Sequence, residues 1–200
     1  MDWIWLSRSG VLLGAYLIGG IPTAYLATRF LRGDDIRQLG DRNSGAANVF
    51  RNVGPKAGLA VGVIDIVKGA VAVILAIVVL DSARAEMVAG VLVVVGHNWP
   101  ILLRLRGGRG AAPAVGVLLA TVPMLAIPLG LASLVVLYFT KKATASLGFF
   151  LILLPFLAWW PMPYPYSLIG YVLFIPLLVG ASHFISLKRV NLPAAELNRL

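Results

Sequence analysis

Long apolar runs separated by short charged segments make up most of the chain, and one longer polar segment at residues 32–56 interrupts them. The apolar runs occupy residues 11–31, 57–80, 87–103, 111–139, 147–160 and 166–187. A helix needs roughly 20 apolar residues to cross a bilayer, so runs of this length predict membrane-spanning helices. The pattern therefore predicts an all-α, polytopic membrane protein in which residues 1–200 form a single integral-membrane domain.

The run at 111–139 decides between six and seven crossings. Its 29 residues would extend about 43 Å as one helix, which is too long for an untilted crossing, and it contains Pro123 and Pro128. If the chain turns near Pro123, seven crossings place 13 Lys and Arg on one face and 2 on the other, whereas six crossings give 8 and 7. The positive-inside rule favours seven spans, with the N-terminus outside and the basic loops cytoplasmic. Six spans are the alternative.

Composition agrees with a multi-pass protein of the cell membrane and removes several kinds of chemistry. Of 200 residues, 60% are hydrophobic and 12% are charged, which is too apolar for a water-soluble fold. The sequence has no cysteine, so thiolate chemistry is excluded, and two histidines alone cannot form a three-ligand zinc site. A net charge of +9 fits topology signals and attraction to anionic membrane lipids rather than nucleic acid. We expect no cofactor and no metal.

Polar residues collect in three clusters, all on the predicted cytoplasmic face. The first cluster, residues 40–51, contains Gly40, Asn43, Gly45, Asn48 and Arg51. Amide and guanidinium groups donate hydrogen bonds, and glycines permit backbone conformations that expose N–H groups to an anion. These donors precede a predicted span that carries two charged residues, which favours an anion site over an ordinary solvated loop.

The two charged residues in that span are Asp65 and Lys68. They lie three residues apart on one helix face, roughly 12 and 17 Å from the start of the helix. Charges at this depth need a partner or a polar cavity. Two interpretations stay open: a structural ion pair that neutralises itself, or a pair that shapes a site opening from the polar segment.

The second cluster is rich in arginine and glycine, and the third ends the last apolar run. Arg109 lies among Gly107, Gly108 and Gly110, and a guanidinium flanked by glycines suits phosphate because it forms forked hydrogen bonds while backbone N–H groups approach closely. His97 precedes this loop; alone, such a histidine is more typical of a helix end than of a base. The third cluster contains His183, Ser186 and Arg189.

In this order the clusters resemble the motifs of bacterial membrane glycerol-3-phosphate acyltransferases that take their acyl group from acyl phosphate. The family's first motif reads approximately G-S-G-N-x-G-A-T-N-x-x-R, then D-x-x-K-G; the second reads G-H-x-[FW]-P, then G-G-K-G; the third reads H-x-x-N-I-x-R. The likeness extends from Asp35 to Arg189, and three motifs in order are specific. The matching positions include Gly40, Asn43, Gly45, Asn48, Arg51, Asp65, Lys68, Gly69, Gly96, His97, Gly107, Gly108, Gly110, His183 and Arg189.

The chain also departs from these motifs. Asp41, Arg42 and Ala47 replace a serine, a glycine and a threonine of the first motif, Arg109 and Pro113 replace a lysine and a threonine of the second, and Ser186 replaces an asparagine of the third. Asp41 places an anion beside the expected phosphate site, unless Arg42 neutralises it. Arginine at 109 retains the positive charge but changes reach and geometry.

The resemblance implies a seven-span acyltransferase that moves an acyl chain from acyl phosphate to the 1-hydroxyl of glycerol 3-phosphate, the first acylation of phospholipid synthesis. It implies catalytic roles for Asn43, His97 and Arg109. It implies substrate-binding roles for Gly40, Gly45, Asn48, Arg51, Lys68, Gly107, Gly108, Gly110, His183, Ser186 and Arg189. The proton of the attacking hydroxyl goes to His97, to the departing phosphate or to Asp41, and the sequence does not choose among them.

Two alternatives come from other functional classes. A diverged, non-catalytic relative would bind its ligand and form no product. An anion or lipid transporter would use Asp65, Lys68 and the basic loops as a path, but it predicts polar residues in several spans, whereas here they cluster at one face.

Overall fold

The computed structural model describes residues 2–159 and 164–190, with side chains for 7–159 and 164–187, and within these ranges the chain is helical and has no strand. The α-helices are α1 (Asp2–Gly19), α2 (Thr23–Arg32), α3 (Ala46–Asn52), α4 (Pro55–Leu80), α5 (Ala83–Asn98), α6 (Ala111–Thr121), α7 (Pro123–Thr140), α8 (Ala143–Trp159) and α9 (Tyr166–Val190). Short 3-10 turns occupy Ile36–Gln38 and Ile101–Leu103. The all-α prediction is confirmed for the described part of the chain.

Several of these helices are suited to a bilayer. Five stretches of the described chain are long and apolar enough to cross a membrane: Ser7–Arg32, Pro55–Leu80, Ala83–Leu103, Pro123–Thr140 and Tyr166–Leu187. The helices α6 and α8 are apolar but shorter, with 11 and 17 residues. The protein is therefore multi-pass, while seven crossings and an external N-terminus stay predictions.

The run at 111–139 breaks where the sequence predicts. Helix α6 ends at Thr121, α7 begins at Pro123, and Val122 between them is non-helical, with φ −131°. Proline suits the first turn of a helix, because the N–H group that it lacks has no partner there. The second proline of the run, Pro128, stays inside α7.

The first apolar run, predicted as one span, lies within one candidate span, Ser7–Arg32, but its helix is interrupted. Helix α1 ends at Gly19 and α2 begins at Thr23, so residues 20–22 interrupt the run. Gly19 and Gly20 lower helix propensity, and Pro22 lacks the N–H group that would bond to the preceding turn. The break allows the Ile21 carbonyl and the Thr23 hydroxyl to bond to charged side chains of α4.

The polar segment at 32–56 is not an open loop. It contains the Ile36–Gln38 turn and the helix α3, and α3 packs on α4. A Cβ added at Gly58 would overlap Phe50 of α3. This close packing fixes residues 40–51 against the first turns of α4.

Helix α4 lies at the centre of the molecule and contacts α1, α3, α5 and α6. Its approach to α6 is close enough to require glycine on both helices. A Cβ at Gly69 would overlap the Pro113 carbonyl oxygen, and a Cβ at Gly116 would overlap the Ile66 carbonyl oxygen. Small residues allow helix backbones to approach closely in membranes. The start of α6 is thereby held next to the charged residues of α4.

Inside and outside of the bundle differ in side-chain size. The interior is formed largely by small and β-branched residues together with Leu118, Phe150 and Ile175. Large apolar side chains cover the outer surface, among them Leu59, Val78, Leu131, Ile152 and Phe156. Such a surface would be unfavourable in water but suits the hydrocarbon of a bilayer.

Candidate active site

A buried ion pair joins α4 to the break in the first apolar run. Oδ1 of Asp65 lies 2.9 Å from Lys68 Nζ and accepts a hydrogen bond from Thr23 Oγ1 at 2.5 Å. Lys68 Nζ also donates to the Ile21 carbonyl at 3.1 Å. The side chains of Asp65 and Lys68 are 1% and 5% exposed. The pair thus neutralises itself and ties Ile21 and Thr23, at the break between α1 and α2, to α4. The second oxygen, Asp65 Oδ2, is buried and has no hydrogen-bond partner among the described residues.

His97 lies beside this pair, at the end of α5. Its Nδ1 is 3.8 Å from Asp65 Oδ1, and its side chain is 7% exposed. A Cβ added at Gly108 would overlap His97 Nε2, so the second ring nitrogen faces the backbone of the glycine loop. The imidazole therefore lies between the Asp65 carboxylate and Gly108 and borders a small cavity.

The glycine loop is held against the end of α5. Gly107 N donates to the Asn98 carbonyl at 3.1 Å, and Gly108 N donates to the His97 carbonyl at 3.0 Å. A Cβ at Gly107 would overlap the His97 carbonyl oxygen. These two N–H groups point into the protein, contrary to the expectation that they face an anion. Close packing explains both glycines.

The backbone that leads into this loop is strained. Arg104 and Leu105, neither of them glycine, have φ values of 52° and 59°. Gly110, at the start of α6, has φ 80°. Non-glycine residues with such angles cost roughly 1–2 kcal/mol each and occur at sites where the surroundings fix the backbone. The surroundings therefore hold the backbone on both sides of the glycine loop that contains Arg109.

In the first cluster, Asn48 is an internal support. Its Nδ2 donates to the carbonyls of Ile36, Leu39 and Asn43, at 3.2, 3.0 and 2.9 Å, and its side chain is fully buried. Its Oδ1 accepts a hydrogen bond from Asn52 Nδ2 at 2.7 Å. Its amide group is thus used within the protein, and Asn48 sets the shape of the loop at residues 36–43.

Two glycines of this loop have a visible structural reason. Gly40 has φ 54°, and an added Cβ would overlap the side-chain amides of Asn48 and Asn52. At Gly45 an added Cβ would lie 2.8 Å from Asn43 Nδ2. Asn43 itself is 8% exposed. The loop therefore needs glycine at both positions to close over its amide side chains.

Asp41 connects the first cluster with the second. Its Oδ2 lies 2.9 Å from Arg51 Nη2 and 3.8 Å from Arg109 Nη1. Asp41 is thus paired with Arg51 and Arg109, whereas the sequence offered the adjacent Arg42 as its partner. We refer to Asp41, Arg51 and Arg109 as the arginine cluster.

The third predicted cluster meets the same arginine. Arg109 Nε donates to Ser186 Oγ of α9 at 3.3 Å. His183, one turn earlier on α9, is exposed and lies within electrostatic reach of Arg109 and Asp41. The side chain of Arg189 lies outside the described residues. The three clusters, which are distant in sequence, therefore come together around Arg109.

A second aspartate–arginine pair supports the loop without joining the arginine cluster. Arg37 Nη2 lies 2.7 Å from Asp35 Oδ2, and Arg37 Nη1 donates to the Leu103 carbonyl at 3.1 Å. Burial acts to raise the pKa of Asp35, but hydrogen bonds from Arg37 and the charges of Arg37 and Arg29 outweigh it and hold that pKa below its ordinary value. This pair links the loop to the turn before the glycine loop.

Two residues near the site were missed by sequence reasoning. Thr23 bonds to Asp65, and the available signal was a hydroxyl placed directly after a Gly-Gly-Ile-Pro break. Asn98 is 3% exposed, and among the described residues neither of its side-chain polar atoms has a hydrogen-bond partner. It packs against Gly110, where an added Cβ would lie 3.0 Å from Asn98 Nδ2. Nothing in the sequence pattern distinguished it.

The side chains gathered at the site are mainly cationic groups and amides. Among the residues that the structure describes, no group of three or more His, Asp or Glu side chains is arranged to hold a metal ion. A small cavity lies between residues 19–23, His97, Pro100 and the first two glycines of the loop. The arrangement is suited to binding phosphate groups close to apolar helices.

Comparisons with known proteins agree with this chemistry. Residues 9–191 match the glycerol-3-phosphate acyltransferase family. Glycerol-3-phosphate acyltransferase 1 of Dehalococcoides mccartyi is 42% identical over 188 residues, which cover 90% of this chain and 89% of that protein. The glycerol-3-phosphate acyltransferase of Myxococcus xanthus is 45% identical over 139 residues, covering 69% of this chain and 71% of the relative.

The fold has also been observed in a crystal. The structure of PlsY (YgiH), an integral membrane glycerol 3-phosphate acyltransferase, in its glycerol 3-phosphate form, is similar with a TM-score of 0.76 and 26% sequence identity. The alignment covers 92% of each chain.

Proposed function

Because this chain belongs to the glycerol-3-phosphate acyltransferase family, we propose that it transfers a long acyl chain from acyl phosphate to the 1-hydroxyl of glycerol 3-phosphate. Acyl transfer to glycerol 3-phosphate is the activity of the family. The acyl phosphate donor, the site residues below and the cell inner membrane as location are parts of the proposal. The product is 1-acylglycerol 3-phosphate, used in phospholipid synthesis.

The chemistry needs no enzyme nucleophile. Acyl phosphate is a mixed anhydride, so its carbonyl carbon is already activated. The hydroxyl oxygen of glycerol 3-phosphate forms a bond to this carbon, the bond between the carbonyl carbon and the phosphate oxygen breaks, and phosphate leaves. The protein has to hold two phosphate groups, orient the hydroxyl and stabilise the developing oxyanion. Basic side chains at the ends of apolar helices meet this requirement.

One observation carries the assignment of the site: Arg109 contacts Asp41 from the first cluster and Ser186 from the third. We assign Arg109 and Arg51 to the two phosphate groups, and Asn43 to the carbonyl of the donor. We assign His183, Ser186 and Arg189 to the acceptor, glycerol 3-phosphate. A guanidinium group suits this task because it forms paired hydrogen bonds to phosphate.

Several other predicted site residues are bonded or packed within the protein and hold the surrounding backbone in place. Lys68 is bonded to Asp65 and to a backbone carbonyl, and the amide of Asn48 holds the loop. Gly107 and Gly108 are needed for close packing against His97. Their proposed contribution to binding is to fix the backbone from which Arg51 and Arg109 extend.

The proton of the attacking hydroxyl is proposed to go to the departing phosphate. His97 is largely buried, with Nδ1 3.8 Å from Asp65 Oδ1 and Nε2 next to Gly108, and its ring borders the small cavity near residues 19–23. His97→Ala should therefore keep measurable turnover, with an unchanged pH dependence of kcat, because the base would be the substrate. Complete loss of turnover in a folded variant that still binds substrate would make His97 the base.

The test of the function is product formation by the purified protein. Palmitoyl phosphate and glycerol 3-phosphate should give lysophosphatidate, and palmitoyl coenzyme A should not replace the donor. Phosphate release without lysophosphatidate would mean that another acceptor is used. Equal activity with the coenzyme A donor would overturn the donor assignment, and no product from folded protein would favour a non-catalytic relative.

A further inference from the structure

The arginine cluster contains a carboxylate, Asp41, beside the two arginines to which the proposed function assigns phosphate binding. One carboxylate oxygen, Asp41 Oδ2, lies 2.9 Å from Arg51 and 3.8 Å from Arg109. Both guanidinium groups come from sequence clusters assigned to phosphate binding. One oxygen of Asp41 therefore lies between the guanidinium groups of Arg51 and Arg109, where phosphate oxygens would bind.

The contact is one that a phosphate can replace. Within the described part of the chain, Asp41 contacts the arginines through Oδ2, and its Oδ1 is buried without a hydrogen-bond partner. The side chains of Asp41 and Arg51 are 32% and 54% exposed, so a ligand reaches them. A phosphate group offers more oxygens than the one that Asp41 supplies, and it carries a charge of about −2 near neutral pH.

The net charge of the arginine cluster determines whether Asp41 strengthens or weakens the binding of phosphate. Two guanidinium groups and one carboxylate give the cluster a net charge of +1, whereas removal of the carboxylate would give +2, which matches a phosphate monoester. A negative charge at hydrogen-bond distance from the same arginines opposes a bound phosphate. Solvent screening at this exposure keeps the effect modest.

We propose that Asp41 is a positioning residue that acts as an internal competitor: it holds Arg51 and Arg109 in the free enzyme and weakens the binding of phosphate groups to them. The inference rests on the proposed function, because it takes these arginines as the phosphate site. Its consequence is weaker retention of inorganic phosphate, the product that must leave after each turnover.

The experiment compares three substitutions of Asp41 in the full-length protein. Asp41→Asn and Asp41→Ser remove the charge, while Asp41→Glu retains it. The inhibition constant of inorganic phosphate and the KM of glycerol 3-phosphate are measured at constant pH and ionic strength. We expect the neutral variants to lower both constants about three- to tenfold, and Asp41→Glu to stay within about twofold of the unmodified protein.

The matched control is Asp34→Asn. Asp34 forms an exposed pair with Arg32 at 3.2 Å and lies in the same polar segment, so this variant changes the net charge equally without altering the arginine cluster. Both constants should stay within about twofold of their original values in this control. An equal decrease in the control would assign the effect to overall charge and overturn the proposal.

Other outcomes separate this inference from the proposed function. Unchanged or increased constants in folded Asp41→Asn and Asp41→Ser would overturn the competitor role. Loss of folding in both variants, seen as a lost thermal unfolding transition, would make Asp41 structural and also overturn it. The shift of Tm with inorganic phosphate gives a readout that needs no turnover. If Arg51→Ala and Arg109→Ala leave that shift unchanged, the phosphate site itself is misassigned.

Discussion

The pair of Asp65 and Lys68 and the arginine cluster are both built from oppositely charged side chains, but their surroundings differ. The pair lies inside the helix bundle, almost fully buried, and its groups bond to Thr23 Oγ1 and to a backbone carbonyl. The arginine cluster lies where three sequence clusters meet, and its side chains are partly exposed. In the first arrangement Asp65 Oδ1 and Lys68 Nζ have protein partners, and Asp65 Oδ2 is buried away from solvent, whereas the second arrangement remains accessible to a ligand.

The difference is one of burial, which distinguishes charged groups held inside the fold from charged groups that a ligand can reach. Removing a charge from water is costly, so a buried ion pair persists only when further hydrogen bonds satisfy it. Exposed ion pairs contribute little to stability, and their groups are therefore available for binding. We expect substitutions of Asp65 or Lys68 to act on folding and substitutions in the arginine cluster to act on catalysis.

The largest expected effect is on stability at Asp65. Asp65→Ala leaves Lys68 as an uncompensated charge inside the bundle, which should destabilise the protein by about 3–5 kcal/mol. Thermal unfolding of the purified protein measures this. A double variant, Asp65→Leu with Lys68→Met, should recover much of the loss. A Tm for Asp65→Ala equal to that of the unmodified protein would show that the pair is not structural.

The second effect concerns catalysis at the arginine cluster. Arg51→Ala and Arg109→Lys should each lower kcat/KM about ten- to hundredfold, since a charge-assisted hydrogen bond contributes roughly 1.5–3 kcal/mol. Their Tm should change little. Arg84→Ala, at an exposed position outside the site, serves as the control. Unchanged kcat/KM in both site variants would defeat the assignment.

A smaller effect is expected at the glycine loop, between the two regions. Gly108→Ala forces the loop away from His97, because the added Cβ would overlap Nε2. A displacement of Arg109 by a few tenths of an ångström should lower kcat/KM about tenfold. Gly148→Ala is the matched control, since its added Cβ meets nothing within 4 Å. If the two variants behave alike, the loop packing does not position the site.

The smallest effect is expected at Asp35, whose pair with Arg37 is partly exposed. Asp35→Asn should cost at most about 1 kcal/mol. Since the pKa of Asp35 is lowered in the folded protein, its stabilisation is complete above about pH 4 and is lost as the pH falls through the lowered value. The Tm of the variant should therefore change less in acid than that of the unmodified protein. Parallel pH dependences would contradict the pair.

The sequence determined the features that depend on local composition and spacing. Apolar runs predicted helices because every backbone group in a bilayer needs an internal partner. Proline at 123 predicted the break between α6 and α7, which the structure has. The motif residues around Asn43, Arg109 and His183 were found from residue type and order.

Only the tertiary structure decided which partner each polar group has. Asn48 turns inward, the N–H groups of Gly107 and Gly108 bond to α5, and Asp41 pairs with Arg109 rather than with its neighbour Arg42. Asp41 and Arg109 lie far apart in sequence, and the bonds from Gly107 and Gly108 depend on how the glycine loop packs on α5. Sequence spacing gives the face of a helix, but the approach of α4, α5 and α6 determines which donors remain accessible to a ligand.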